Sequence, residues 1–128
     1  MPASTAVVNA GRAILTNRII GSGTTPDRIA MGTGTTAVQL TDTALGGEVE
    51  SRTTGTTSRT TTSSANDTFV CTGTVTATAS RTIGEAGLFD AASGGNLFVR
   101  GVLASTISLA SGDSIAFTFT VQVTSAVV

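Results

Sequence analysis

The sequence predicts a mainly β fold, an antiparallel β-sandwich or flattened barrel preceded by one N-terminal helix. Three observations carry this expectation. About a fifth of the 128 residues are Thr, a β-branched residue that favours extended over helical backbone. Several segments alternate apolar and polar residues with period two, most clearly FVCTGTVTATA from Phe69 and SIAFTFTVQVT from Ser114. Only one segment, near the N-terminus, carries a helical spacing. A chain of 128 residues fits one domain, 1–128, with the β-core over about 27–125.

The helix is expected over 5–20. Val7, Val8, Gly11, Ile14, Leu15, Arg18 and Ile19 recur at spacings of three and four and form one stripe. Ser4 or Thr5 caps its start, and Gly21-Ser22-Gly23 stops it. The stripe packs on the domain's own sheet or docks on a neighbouring subunit, and the first is favoured. Thr24 to Asp27 reads as a turn and RIAMG, Arg28 to Gly32, as a short strand. The loop GTGTT that follows lacks the Lys of a phosphate-binding loop. Leu40 to Leu45 suggests a single helical turn ended by Gly46-Gly47.

Residues 48–79 are expected to form two long antiparallel strands joined by a turn at Ala65 to Thr68. The first, EVESRTTGTTSRTTTSS, is poorly hydrophobic and suits a sheet edge or completion by another chain. Thr82 to Asp90 is a strand in which Gly84 and Gly87 signal a bulge or a close backbone approach. Glu85 lies among apolar residues and needs a partner such as Arg81 or Arg100. Asp90 to Asn96 is a hairpin loop, Leu97 to Leu103 the return strand, and Ser111-Gly112-Asp113 a turn. The last strand directs Ile115, Phe117, Phe119, Val121 and Val123 inward.

Charge and composition narrow the function. The formal net charge is −1 and charged residues make up 12% of the chain. That balance gives no electrostatic footprint for nucleic acid and no basic patch for anionic lipid. No run is long and apolar enough to span a membrane, and no secretory signal is visible, so a soluble protein made in a reducing cytoplasm is expected. All seven basic residues are Arg. Arg suits interfaces through its planar, bidentate contacts, although the base composition of a GC-rich genome would also produce this bias. With no His and a single Cys71 in an alternating strand, metal ligation of the usual kinds is not expected. Cys71 reads as a buried core thiol, and no cofactor is implied.

Catalysis is not expected. Glu48, Glu50, Glu85, Asp90 and Asp113 are the candidates for the carboxylate pair of a glycosidase. Solvated or structural charges explain them better. A carbohydrate-binding sandwich would lack Trp and Tyr platforms for sugar stacking.

The ordered series GTGTT, TDTAL-x-x-E, IGEAGLFDA, a hairpin into LFVRGVL, and GDSIAFTFTVQV resembles a family of tailed-bacteriophage virion proteins. The N-terminal domains of tail-collar fibres are similar, and small head-decoration proteins share the Thr-, Gly- and Ala-rich β composition. The resemblance runs from about Ala6 to about Val123. It implies a non-enzymatic structural component of the virion. A capsid decoration (cement) protein bound to the major capsid protein is favoured, because the sequence ends at Val128 without a fibre shaft. The alternative is a small tail, baseplate or fibre-attachment protein. The resemblance also implies self-association, as a homotrimer. The interface candidates are Val7, Val8, Ile14, Leu15, Ile19, Arg52 and Arg59, with the Thr-rich stretch 50–63 offering main-chain hydrogen bonds to a neighbour.

Overall fold

The alternating segment that begins at Phe69 forms the centre of a small sheet. In the computed structural model, which describes residues 4–127, strand β5 (Thr68–Thr76) lies between β4 (Thr56–Thr60) and β8 (Ser114–Gln122). Both pairings are antiparallel. The alternation has the expected physical cause. Phe69, Cys71, Val75, Phe117 and Phe119 face a shared core, while Thr72, Thr74, Thr76, Thr118 and Thr120 face water.

The second sheet has five strands in the order β1-β7-β6-β2-β3. These are β1 (Ser4–Val7), β2 (Arg28–Gly32), β3 (Glu48–Thr54), β6 (Arg81–Phe89) and β7 (Leu97–Leu109), all antiparallel. One face packs on the small sheet. Ile29, Met31, Ile83, Leu88 and Phe98 meet Cys71, Val75 and Phe119 there. Phe69 and Phe98 touch edge to face with ring centroids 5.9 Å apart. The other face is covered too, where Val8, Ala30, Leu45, Phe89 and Leu97 form a second apolar cluster. With both faces covered, β6 is buried without interruption from Ile83 to Phe89, which is why it shows no alternation. The two antiparallel sheets make a sandwich, and no closed barrel forms among the described residues.

Helix α1 (Asn9–Ile19) is shorter than expected. Residues 4–7 are drawn off as β1, which pairs with β7 from Ser4↔Val102 to Val7↔Val99. Val8 therefore caps the helix, and no side chain bonds the free N–H groups. Gly11 lets the helix approach β7, since a Cβ there would lie 2.6 Å from the Phe98 carbonyl. Gly21, at φ 77°, ends the helix. The Ser22 N–H reaches back to the Asn17 carbonyl at 2.8 Å.

Three other expectations are corrected. Residues 48–79 do not form two long partners. The first strand breaks at Gly55, so β3 pairs with β2 in the large sheet and only β4 pairs with β5 in the small one. A Cβ at Gly55 would meet the Cys71 thiol at 2.5 Å, so the chain can cross between sheets only where a side chain is missing. Leu40 to Leu45 is not a helical turn. Asp42 closes a tight turn with Gln39, and Leu45 folds under into the second cluster. The return strand β7 continues past Leu103 to Leu109, rejoining β6 after an irregularity opposite Gly84.

Candidate functional site

Glu85 stands on the face of the large sheet opposite the small sheet, and its side chain is completely buried. Three main-chain N–H groups converge on its carboxylate. Gly34 and Gly47 donate to Oε2 at 2.7 and 2.8 Å, and Gly46 donates to Oε1 at 2.8 Å. Arg100, on the neighbouring strand β7 opposite Gly87, donates its Nε to Oε1 at 3.0 Å. The same guanidinium reaches Asp42 at 3.0 Å and the Thr36 carbonyl at 3.0 Å. One buried ion pair thus binds both ends and the middle of the segment 33–47 to the sheet.

The glycines follow from this geometry. A Cβ on Gly32 would fall 2.6 Å from Glu85 Oε2, and one on Gly34 would overlap the same oxygen. The GTG sequence is therefore built around a carboxylate of its own chain. Burial works to raise the Glu85 pKa. The donors from Gly46, Gly47, Arg100 and Gly34 outweigh it and hold the carboxyl below its ordinary value, so it is ionised.

Two further carboxylates work in the same manner. Glu50 accepts from the Thr78 N–H, the Thr78 hydroxyl and Arg81 Nε at 2.7 to 3.0 Å. The Arg81 bond, then those of Thr78, lower its pKa from 4.5 to about 2. Glu50 sits at φ 68°, in the left-handed region, inside the irregularity between Ile29 and Met31 of the β2–β3 pairing. Asp67 accepts from the N–H groups of Ser64, Thr62 and Ser63 and is likewise held low. Every one of the eight acidic residues bonds a main-chain N–H or an Arg of this chain. The carboxylates proposed for catalysis are all engaged as staples of turns and sheets. Cys71 is fully buried, and burial, followed by the Asp27 charge, pushes its thiol up to about 11.

The interface candidates divide. Val8 and Ile14 are buried in the chain's own core and present nothing to a neighbour. Val7 is half-buried in β1. Leu15 and Ile19 are exposed, Ile19 at 82%. The side chain of Arg52 is largely covered because it holds a hairpin. It grips Glu48 through two bonds, donates to the Ala91 and Gly94 carbonyls at 2.9 and 2.8 Å, and lies 3.5 Å over the Phe89 ring. Arg59 stands exposed on β4, and its guanidinium has no hydrogen-bond partner among the described residues. The need of Glu85 for an Arg partner was legible from sequence, which left Arg81 and Arg100 open; Arg100 takes the place and Arg81 pairs with Glu50. The roles of Arg52 and Glu50 were not legible, because the hairpin carbonyls that Arg52 holds and the Thr78 and Arg81 partners of Glu50 lie 28 to 42 residues away.

The family model of podophage GP4 fiber I protein gp80 matches residues 15–124, which takes in both sheets and the whole Glu85 clamp except the first strand. No curated protein and no solved structure matches the chain. The match covers most of the sequence, and four of the five motif elements that suggested a virion protein meet at Glu85 and Arg100, the fifth forming β8 of the small sheet. The chain belongs to the podophage GP4 fiber I protein gp80 family and is a structural protein of the phage virion.

Proposed function

We propose that this chain is a non-enzymatic building block of the phage fibre apparatus, held in the virion through contacts with other virion proteins and with copies of itself. The observation that carries the reading is the extent of the fibre-family match, residues 15–124. The chemistry is in keeping with it. The acidic residues are consumed in holding loops to sheets, and the exposed face of the small sheet is rich in Thr and Ser hydroxyls. Such a scaffold offers rigid surfaces, and binding is its task.

Immunogold labelling of intact virions, paired with quantitative mass spectrometry of copy number, tests the proposal. Label at the tail, with a copy number far below that of the major capsid protein, is expected. Label spread over the head at a copy number comparable to the major capsid protein would return the head-decoration reading in its place.

A further inference from the structure

The two sheets have four edges, and three of them are guarded against pairing. Strand β1 is only four residues long. Strand β3 carries Glu48, Glu50 and Arg52 and an irregular register. Strand β4 carries Arg59. Charges, bulges and short length are the usual devices that keep a sheet edge from adding another strand. Strand β8 has none of them. Its nine residues include no charge and no proline, and its register with β5 is unbroken from Ser114↔Thr76 to Gln122↔Thr68.

The direction of its main-chain groups can be read from the ladder. Just beyond one end of β8 the Val123 N–H donates to Asp67, and just beyond the other end Ala77 donates to Asp113. Odd-numbered residues of this strand therefore face β5. The N–H and C=O groups of Ser114, Ala116, Thr118, Thr120 and Gln122 point to the open edge.

The order of side chains along β8 is a chemical palindrome about Thr118. Antiparallel pairing of two copies across a two-fold axis there sets Phe117 against the second copy's Phe119 and Ile115 against its Val121. On the outer face Ala116 meets Thr120, Ser114 meets Gln122, and Thr118 meets itself. Apolar residues meet apolar ones on the inner face, small and polar ones meet on the outer, and no charges oppose. Every outward main-chain group gains a partner, for about ten hydrogen bonds in all. The aromatic residues fall at the non-hydrogen-bonded positions, where cross-strand side chains come closest. Beside the edge lies an open groove of about 420 Å³, lined by Phe117, Phe119, Val99, Val102 and Leu103 with Thr5 at its rim. It lies where the second copy's inward side chains would arrive.

We infer that β8 is a self-association edge, and that two copies of this chain join their three-stranded sheets into one continuous six-stranded sheet across a two-fold axis at Thr118. The inference does not depend on where in the virion the protein sits. A threefold assembly, as the family resemblance implied, would use a different surface and could coexist with this one.

Three measurements on the full chain test it. Sedimentation equilibrium of the wild type over a wide concentration range is expected to show a monomer–dimer equilibrium. Thr118→Cys is expected to give a disulfide-linked dimer on mild oxidation, since hydrogen-bonded antiparallel partners have Cα atoms about 5.5 Å apart, within disulfide range. Ala116→Lys with Thr120→Lys places like charges opposite each other and is expected to sediment as single chains. Both positions are solvent-facing, so far-ultraviolet circular dichroism should be unchanged. Mixing that variant with Ala116→Glu/Thr120→Glu is expected to restore a mixed dimer. Wild-type protein that stays at the single-chain mass at every concentration overturns the inference and leaves the edge to a strand of another protein. A dimer that survives the paired Lys substitutions, or that yields no cross-link from Thr118→Cys, also overturns it.

Discussion

Replacing Glu85 by Gln preserves shape and volume and removes only a charge and one acceptor atom. The consequence follows from the four donors around the carboxylate. Gly34 and Gly47 address one oxygen, and Gly46 and Arg100 the other. Whichever way a Gln amide turns, its NH₂ group confronts two donors and leaves both without an acceptor. A buried N–H deprived of its acceptor costs about 1–3 kcal/mol. Breaking a buried ion pair by removing one partner costs about 3–5 kcal/mol. The two routes overlap, and a loss of about 3–5 kcal/mol is expected for Glu85→Gln. With an unfolding entropy of about 2.1 cal/mol/K per residue, a chain of 128 residues should melt roughly 10–20 °C lower. Differential scanning calorimetry at neutral pH measures the shift. Native-state hydrogen exchange at Gly34, Gly46 and Gly47 locates it, with faster exchange expected at all three. A fall in Tm below about 3 °C would refute the clamp as a source of stability. A large fall with those three amides still protected would refute its attachment of the 33–47 segment.

Arg52 and Arg59, equal candidates by sequence, should behave oppositely. Arg52→Ala loses an ion pair, two carbonyl contacts and the stack on Phe89, for about 2–3 kcal/mol in urea unfolding. Arg59→Ala, exposed and with no hydrogen-bond partner for the guanidinium among the described residues, should stay within about 0.5 kcal/mol. The pH dependence of stability follows from the depressed carboxyls. A group whose folded pKa lies below its unfolded value stabilises the fold above the unfolded pKa and loses that contribution as pH falls through the folded one. Glu50 spans 4.5 to about 2, and Glu85 and Asp67 shift in the same direction. Melting temperature should therefore be level above about pH 5 and fall steadily between about pH 4.5 and 2. A melting temperature that rises on acidification in that range would contradict the assigned bonds.

Much of the sandwich was legible because its information is local. The alternation in β5 and β8 records one wet and one dry face, and it survives intact in the structure. Glu85 stood out because an acid in an apolar run demands a partner, and Arg100 supplies it. What escaped depends on distant partners. Residues 4–7 look helical by spacing, yet the backbone of β7 competes for them and wins. The break at Gly55 is dictated by the Cys71 thiol and Ile29 beneath it, which no local pattern announces. Leu40 to Leu45 has the composition of a helical turn, but Arg100 takes hold of Asp42 from across 58 residues and draws the segment flat. The apolar stripe of α1 was expected first to pack on the domain's own sheet, and Val8 and Ile14 do so, while Leu15 and Ile19 stay exposed.

The internal engagement of nearly all ionic groups has a consequence for how this protein meets its partners. Eight carboxylates and six of seven guanidinium groups already have a partner within the chain. The surface therefore carries little long-range field. Encounter with other proteins is unsteered, in the range of about 10⁵–10⁶ M⁻¹s⁻¹ expected for neutral surfaces. Ionic strength should change neither the rate nor the affinity of assembly appreciably, because salt screens only fields that reach into solvent. Hydration rests on the hydroxyls of Thr and Ser, groups indifferent to both salt and neutral pH. A particle built from such pieces keeps its contacts when the medium around it is diluted or concentrated.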